Sequence, residues 1–207
     1  SFPQAMISRP IVAATVTGAL LGYPERGLIV GVALEFFALE TMPFGASRYP
    51  EWGSASVVGA AMFASSDSAA AGAMTFAVFA ALATAQVGYH SMVLLRRLNA
   101  RWARQLQPQI VHGSARAVTG LHLVGLAADF LRGGVLTLAG LAAFLPLRLA
   151  VLGTFEATGT QSRAVVVSAA SAVGLAAIWK ITATTAGARW WLVGGLALGF
   201  ALAGGLG

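Results

Sequence analysis

Between Asp67 and Arg96 the chain runs from residue 68 to residue 95 without an Asp, Glu, Lys or Arg. As a helix rising about 1.5 Å per residue, that stretch reaches roughly 40 Å, enough to cross the ~30 Å hydrocarbon core of a bilayer with tilt. The run from 190 to 207 is nearly long enough, and shorter charge-free runs cover 10–24, 52–66, 133–147 and 164–179. With 57% hydrophobic and 10% charged residues and a mean hydropathy of +0.78, the chain lies far from soluble proteins, where about a quarter of residues are charged. A single core in water could not hide that much apolar surface. The expected fold is an all-α integral membrane protein, one multi-span domain over residues 1–207. The shorter runs imply charges inside spans, or half-helices and re-entrant hairpins; both occur where protein lines a pathway.

Charge narrows the function. The net charge of +6 comes almost wholly from arginine, Lys180 being the single lysine. The arginines are scattered between apolar runs and form no single basic face, which argues against nucleic acid. Five of them, Arg96, Arg97, Arg101, Arg104 and Arg116, gather in the longest polar segment. The positive-inside bias puts that segment in the cytoplasm. The absence of cysteine excludes disulfides, thiolate metal sites and a phospho-cysteine relay. No Gly-rich phosphate loop, metal-ligand spacing or nucleophile–base arrangement stands out, so no cofactor, metal or catalytic residue is expected. The chain opens at Ser1 with nothing resembling a cleavable signal peptide, which leaves room for a helix upstream.

Punctuation divides the chain further. Helices are expected at about 9–21 and 28–41, split by the turn Gly22-Tyr23-Pro24-Glu25-Arg26-Gly27, since Pro and Gly stop one helix and let the next begin. Residues 42–53 are too rich in Gly and Pro to be regular, and must be shielded from lipid. A small-residue helix at 54–64 leads through a polar break at 65–68 into the span 69–95. A polar, partly amphipathic connector at 96–116 follows, then apolar segments at 117–130, 133–155, 163–182 and 189–206. The pairs Gly18/Gly22, Gly27/Gly31 and Gly195/Gly199 have the small-xxx-small spacing that permits close helix approach.

The stretch from Gly18 to Glu35 reads Gly, three residues, Gly, a polar residue, three residues, Gly-Leu, two residues, Gly, then Leu34-Glu35. It resembles the signature of the IIC subunit of the mannose/fructose/sorbose-class phosphotransferase system. Arg9-Pro10 ahead of it, Gly45-Ala46 and Pro50-Glu51 after it, Ala85-Gln86-Val87 in the long span and Leu121-His122 further on are similar to the family's motifs in order and spacing. Tyr23 stands where the family usually has Asp, Asn or His, and residues 40–44 depart from its aromatic-rich sequence; both changes are expected near the sugar path. The resemblance implies a sugar-translocating subunit of the bacterial cytoplasmic membrane, multi-pass and part of an oligomer. It would work beside a IID-type membrane subunit, with cytoplasmic IIA and IIB components passing phosphate to a hexose-like sugar. The IIC chain itself would not be phosphorylated. The alternative is a degenerate relative, kept as a regulatory or structural subunit of a larger membrane complex.

Four residues are candidates for substrate binding. Glu35 leads: a carboxylate on an apolar helix is costly in hydrocarbon, so it faces a cavity or a partner, and it accepts charge-assisted hydrogen bonds from sugar hydroxyls. The structural alternative is a brace for nearby backbone. Glu51 sits where the family has Asp, and could equally pair with Arg48. Gln86, alone in the long span, could serve a hydroxyl or bond a neighbouring helix. His122 matches the family's hydrophobic-His pair, although a lone membrane His is more often structural. His90 and Glu40 carry weaker signals, Glu40 lying about 140° around the helix from Glu35. Asp129 and Arg132, three apart, are expected to pair at a helix end. Trp190-Trp191 reads as an interfacial anchor.

Overall fold

In a computed structural model of the chain, residues 7–40, 50–66, 72–152, 158–182 and 187–205 are described. They contain seven α-helices and no strand: α1 (Pro10–Leu20), α2 (Pro24–Glu40), α3 (Trp52–Ala64), α4 (Ala73–Val111), α5 (Ala115–Leu152), α6 (Gly159–Thr182) and α7 (Ala188–Gly205). Proline opens α1, whose N1 position needs no amide donor. The helix closes at Gly22, which takes the left-handed φ of +84° while Tyr23 N–H returns to Gly18 O at 2.7 Å. Pro24 then starts α2.

The α1–α2 hairpin is held by glycines. A Cβ on Gly27 would sit 2.3 Å from Ala14 O, and one on Gly31 would sit 2.9 Å from Ile11 Cα. Gly18 and Gly27 also face each other, a Cβ on Gly18 falling 2.8 Å from Gly27 Cα. Of the expected small-residue contacts, Gly27 and Gly31 are therefore packed. Gly22 serves the turn instead, and Gly195 and Gly199 have nothing within 4 Å among the described residues.

Helix α3 is the centre of the bundle. Val58, Ala60, Met62, Phe63 and Ser56 are fully buried, packed with Val30 and Leu34 of α2 and Met74 and Ala81 of α4. Gly59 lets α4 approach, since a Cβ there would meet Ala81 Cβ at 2.9 Å. Thr75 and Ser162 hydroxyls, 2.7 Å apart, tie α4 to α6. Phe36 of α2 packs on Gly174 of α6, and α7 packs chiefly on α6.

Three helices are long and apolar enough to cross a membrane: α4, α5 and Gly159–Lys180 of α6. By contrast, α1 with 11 residues and α3 with 13 reach only about 16 and 20 Å. Both are shorter than a spanning helix, whereas the short run 133–147 lies inside α5 between Arg132 and Arg148, with charges within a long helix. Only 6% of the most apolar window of α5 is buried, so Phe130, Leu138 and Leu149 of its exposed faces need hydrocarbon or another protein.

Two expectations are corrected. Residues 96–111 continue α4 as helix, and the turn comes only at Gly113, with φ +77°. Segments 117–130 and 133–155 are not separate, because α5 runs unbroken from Ala115 to Leu152. The result is a long antiparallel hairpin, in which Gly88 faces Leu136 and Gly125 faces Asn99, extending past the last buried residue of α4, Leu95.

Candidate functional site

The two short helices begin next to each other. Ser8, just before α1, and Gly53, in the first turn of α3, approach so closely that a Cβ on Gly53 would lie 3.8 Å from Ser8 Cβ. Each helix start carries a partial positive charge on amides without an intrahelical partner, and each is met by a carboxylate.

Glu35, near the C-terminal end of α2, reaches across to α1. Its Oε2 accepts a 3.3 Å hydrogen bond from Ile11 N–H, and its Oε1 forms an ion pair with the Arg9 guanidinium. The side chain is 18% exposed and Arg9 is 41% exposed, so the pair is reachable from outside the core. The glycine-locked hairpin sets the register that brings Glu35 opposite Ile11. Both readings of Glu35 start from this geometry: it braces the start of α1, and it is a shielded acceptor beside two helix N-termini.

Glu51 caps α3, its Oε2 accepting from Ser54 N–H at 3.0 Å. Its own backbone N–H donates to Ala85 O of α4 at 3.2 Å, and a Cβ on Gly88 would come within 2.5 Å of Glu51 Cβ. Ser54 Oγ extends the junction to α5 by donating to Gly133 O at 3.3 Å. Of the irregular segment expected at 42–53, residues 42–49 with Gly45, Ala46 and Arg48 lie outside the described residues. Pro50 and Glu51 are non-helical, whereas Trp52 and Gly53 open α3. Glu51 supplies the cap that starts the helix two residues earlier than expected.

The other candidates stand apart. Gln86 follows Ala85 in α4, but its side chain is on the exposed face. His122 is exposed on α5, 11 residues from Gly133 and so about 16 Å along the helix. It lines a shallow groove of about 610 Å³ with Asn99, Ala103, Leu121 and Gly125. His90 is exposed, its ring edge-on to Tyr89. Glu40 pairs with Lys180 of α6, so it faces a different neighbour from Glu35. Asp129 and Arg132 do pair, at 2.9 Å, yet in mid-helix, with Arg132 also donating to Ser91 Oγ at 3.0 Å. Tyr23 lies at the opposite end of α2 from Glu35, away from the paired helix starts. Arg9 joins the site as well: its Arg-Pro motif is plain in the sequence, but a partner 26 positions away leaves no mark there.

Comparisons with known proteins agree with this architecture. A family model described as "PTS system sorbose-specific iic component" matches residues 1–206. The chain is 26% identical over 125 residues to the "PTS system mannose-specific EIIC component" of Escherichia coli (strain K12), covering 60% of this chain and 45% of that protein. It is 25% identical over 129 residues to the "Fructose permease IIC component" of Bacillus subtilis (strain 168), covering 62% and 46%. With the "PTS system sorbose-specific EIIC component" of Lacticaseibacillus casei it shares 27% identity over 124 residues, covering 60% and 43%. The match thus spans somewhat less than half the length of these relatives. A solved structure titled "Structure of membrane protein" superposes with a TM-score of 0.69 at 21% identity, over 97% of this chain and 78% of that one, which speaks for the fold. With the family model matching essentially from end to end and a bundle of membrane-length helices beneath it, the chain belongs to the sorbose-specific IIC component family of the phosphotransferase system.

Proposed function

We propose that this chain is the membrane-embedded, sugar-translocating subunit of a mannose/sorbose-class phosphotransferase system, and that Glu35 holds the sugar. The observation that carries the reading is the Glu35 carboxylate, part-shielded between Arg9 and Ile11 N–H where α1 and α3 begin. Half-helix N-termini within a membrane bundle are where transporters hold polar substrates. A carboxylate fixed on one side by a guanidinium and an amide keeps lone pairs for sugar hydroxyls. Glu51 sets the second wall by capping α3. Gln86, exposed on α4 although its neighbour Ala85 bonds Glu51, and His122, exposed far along α5, are left out of the first contacts with sugar. The relatives' names, mannose-, fructose- and sorbose-class IIC components, support a hexose-class substrate; IID, IIA and IIB components as partners within an oligomer, in the bacterial cytoplasmic membrane, belong to the same proposal. The Arg96–Arg104 cluster of α4 supports a cytoplasmic α4–α5 turn.

A second reading has its own support: both Glu35 oxygens and Glu51 Oε2 already have partners within the chain, as in a relative kept for assembly. Glu35→Gln and Glu35→Ala separate the two. In a translocator, Glu35→Gln lowers sugar affinity roughly tenfold, because a hydrogen bond to a charged group contributes about 1.5–3 kcal/mol against about 1 for a neutral one. Glu35→Ala does worse. Unchanged sugar uptake in Glu35→Ala at normal expression would remove Glu35 from the site. In a structural relative both variants lower thermal stability, and no sugar protects the parent from heat.

A further inference from the structure

The C-terminal end of helix α3 borders a cavity. About 460 Å³ in volume, it is lined by Tyr23, Glu25, Arg26, Phe63 and Arg163, on the side of the bundle opposite the α4–α5 turn. Arg26 forms its wall: Nη1 donates to Ala64 O at 3.0 Å and to Ser66 O at 2.6 Å, satisfying acceptors left open where α3 ends. The Arg26 guanidinium carbon lies 4.2 Å from the Tyr23 ring centroid, covering one ring face. Tyr23 is nonetheless 47% exposed. Glu25 is exposed and pairs with no cation among the described residues. An aromatic ring, an open carboxylate and a fixed guanidinium therefore border one hollow floored by Phe63.

We infer that this cavity is an outer sugar subsite. The uncovered part of the Tyr23 ring stacks on the C–H face of a hexose, Glu25 accepts from its hydroxyls, and the remaining N–H groups of Arg26 donate to them. An anion fits less well, although Arg163 also lines the cavity: Glu25 repels it, Arg163 is already engaged elsewhere, and Arg26 Nη1 is committed to two carbonyls. The inference rests on the sugar-translocating reading above and adds a place of capture. If the arginines of α4 face the cytoplasm, this cavity opens outward, and sugar meets it before reaching Glu35, about 20 Å away along α3.

The test uses the full chain in lipid nanodiscs, with mannose, fructose and sorbose as probes, read by saturation-transfer NMR. Glu35→Ala should retain a weak site. In that background Tyr23→Ala and Glu25→Gln should each weaken binding about threefold to tenfold, the range expected for one stacking contact or one charged hydrogen bond. Tyr23→Phe should bind as the parent does. Because Tyr23→Ala also removes the Arg26 contact, Glu25→Gln, which leaves the packing intact, is the decisive variant. If Glu35→Ala loses all hexose signal, or Glu25→Gln changes nothing, the outer subsite is wrong while the proposed function stands. If the parent binds no hexose, both fail. Saturable binding of inorganic phosphate at Tyr23, without hexose binding there, overturns the sugar assignment as well.

Discussion

Gly27→Ala should destabilise this protein, although the same substitution in an ordinary helix stabilises it. Replacing Gly by Ala inside a helix normally gains about 0.5–1 kcal/mol, by restricting the unfolded chain and restoring helix propensity. At Gly27 the new methyl would stand 2.3 Å from Ala14 O and 2.9 Å from Gly18 Cα. Nonbonded heavy atoms settle at about 3.5–4.0 Å, so the first overlap exceeds an ångström. Both obstacles are backbone atoms of α1, which no rotamer change can move. Relief requires α1 and α2 to separate, and overpacking of this kind costs about 1–3 kcal/mol or more, outweighing the propensity gain. Net of that gain about 1–2 kcal/mol is lost, and for a chain of this size the melting temperature should fall by about 2–8 °C. The separation also draws Ile11 N–H away from Glu35, so sugar affinity should fall with stability. Gly120 and Gly134 of α5 have nothing within 4 Å, and Gly→Ala at either should be neutral or slightly stabilising. Differential scanning fluorimetry in detergent, with and without mannose, reads all three variants. A Gly27→Ala protein that melts at or above the parent's temperature would refute the close-packed hairpin and the register it imposes on Glu35.

The other predictions concern topology and capping. A reporter fused near Gln107, at the far end of α4, should work in the cytoplasm, following the arginines at 96, 97, 101 and 104; activity only in the periplasm would invert the bundle. Glu51→Ala removes the side chain that caps α3 and should cost about 0.5–2 kcal/mol, seen as a lower melting temperature. Glu51→Asp should recover part of it, and a Glu51→Ala protein of parental stability would show that α3 does not depend on its cap.

Where the chain breaks its own helices, sequence and structure agree. Gly22 and Pro24 stop α1 and start α2, and small residues through α3 mark a helix that others must approach closely. The signature ends on Glu35, the carboxylate that the structure sets against Arg9 and the start of α1. Charge set the end of the span too early: Arg, Gln, Leu and Ala between 96 and 107 are good helix formers, so the polar connector continues α4, with Pro108 inside its last turn and Gly113 after its end. Leu131 and Arg132 separate the two expected segments, yet just beyond them Gly133 O accepts from both Ser54 and Thr137 and α5 runs through without a break. The contacts of Arg9 with Glu35 and of Arg26 with Ala64 and Ser66 join residues 26 to 40 positions apart. No periodicity records such pairs, because they exist only once α1, α2 and α3 have docked.

The length of α4 has a mechanical consequence. Its 39 residues make a rod of about 58 Å, nearly twice the ~30 Å of hydrocarbon that it crosses. Packed against α3 along its first half, tied to α6 by the Thr75–Ser162 contact near its start and doubled by α5, it projects beyond Leu95, the root of a lever arm about 25 Å long. A tilt of about 10° at the root, small enough to go unnoticed among packed side chains, would sweep the tip at His112 and Gly113 through about 5 Å. Probes attached there would magnify motions of the bundle that are difficult to detect beside Glu35 itself.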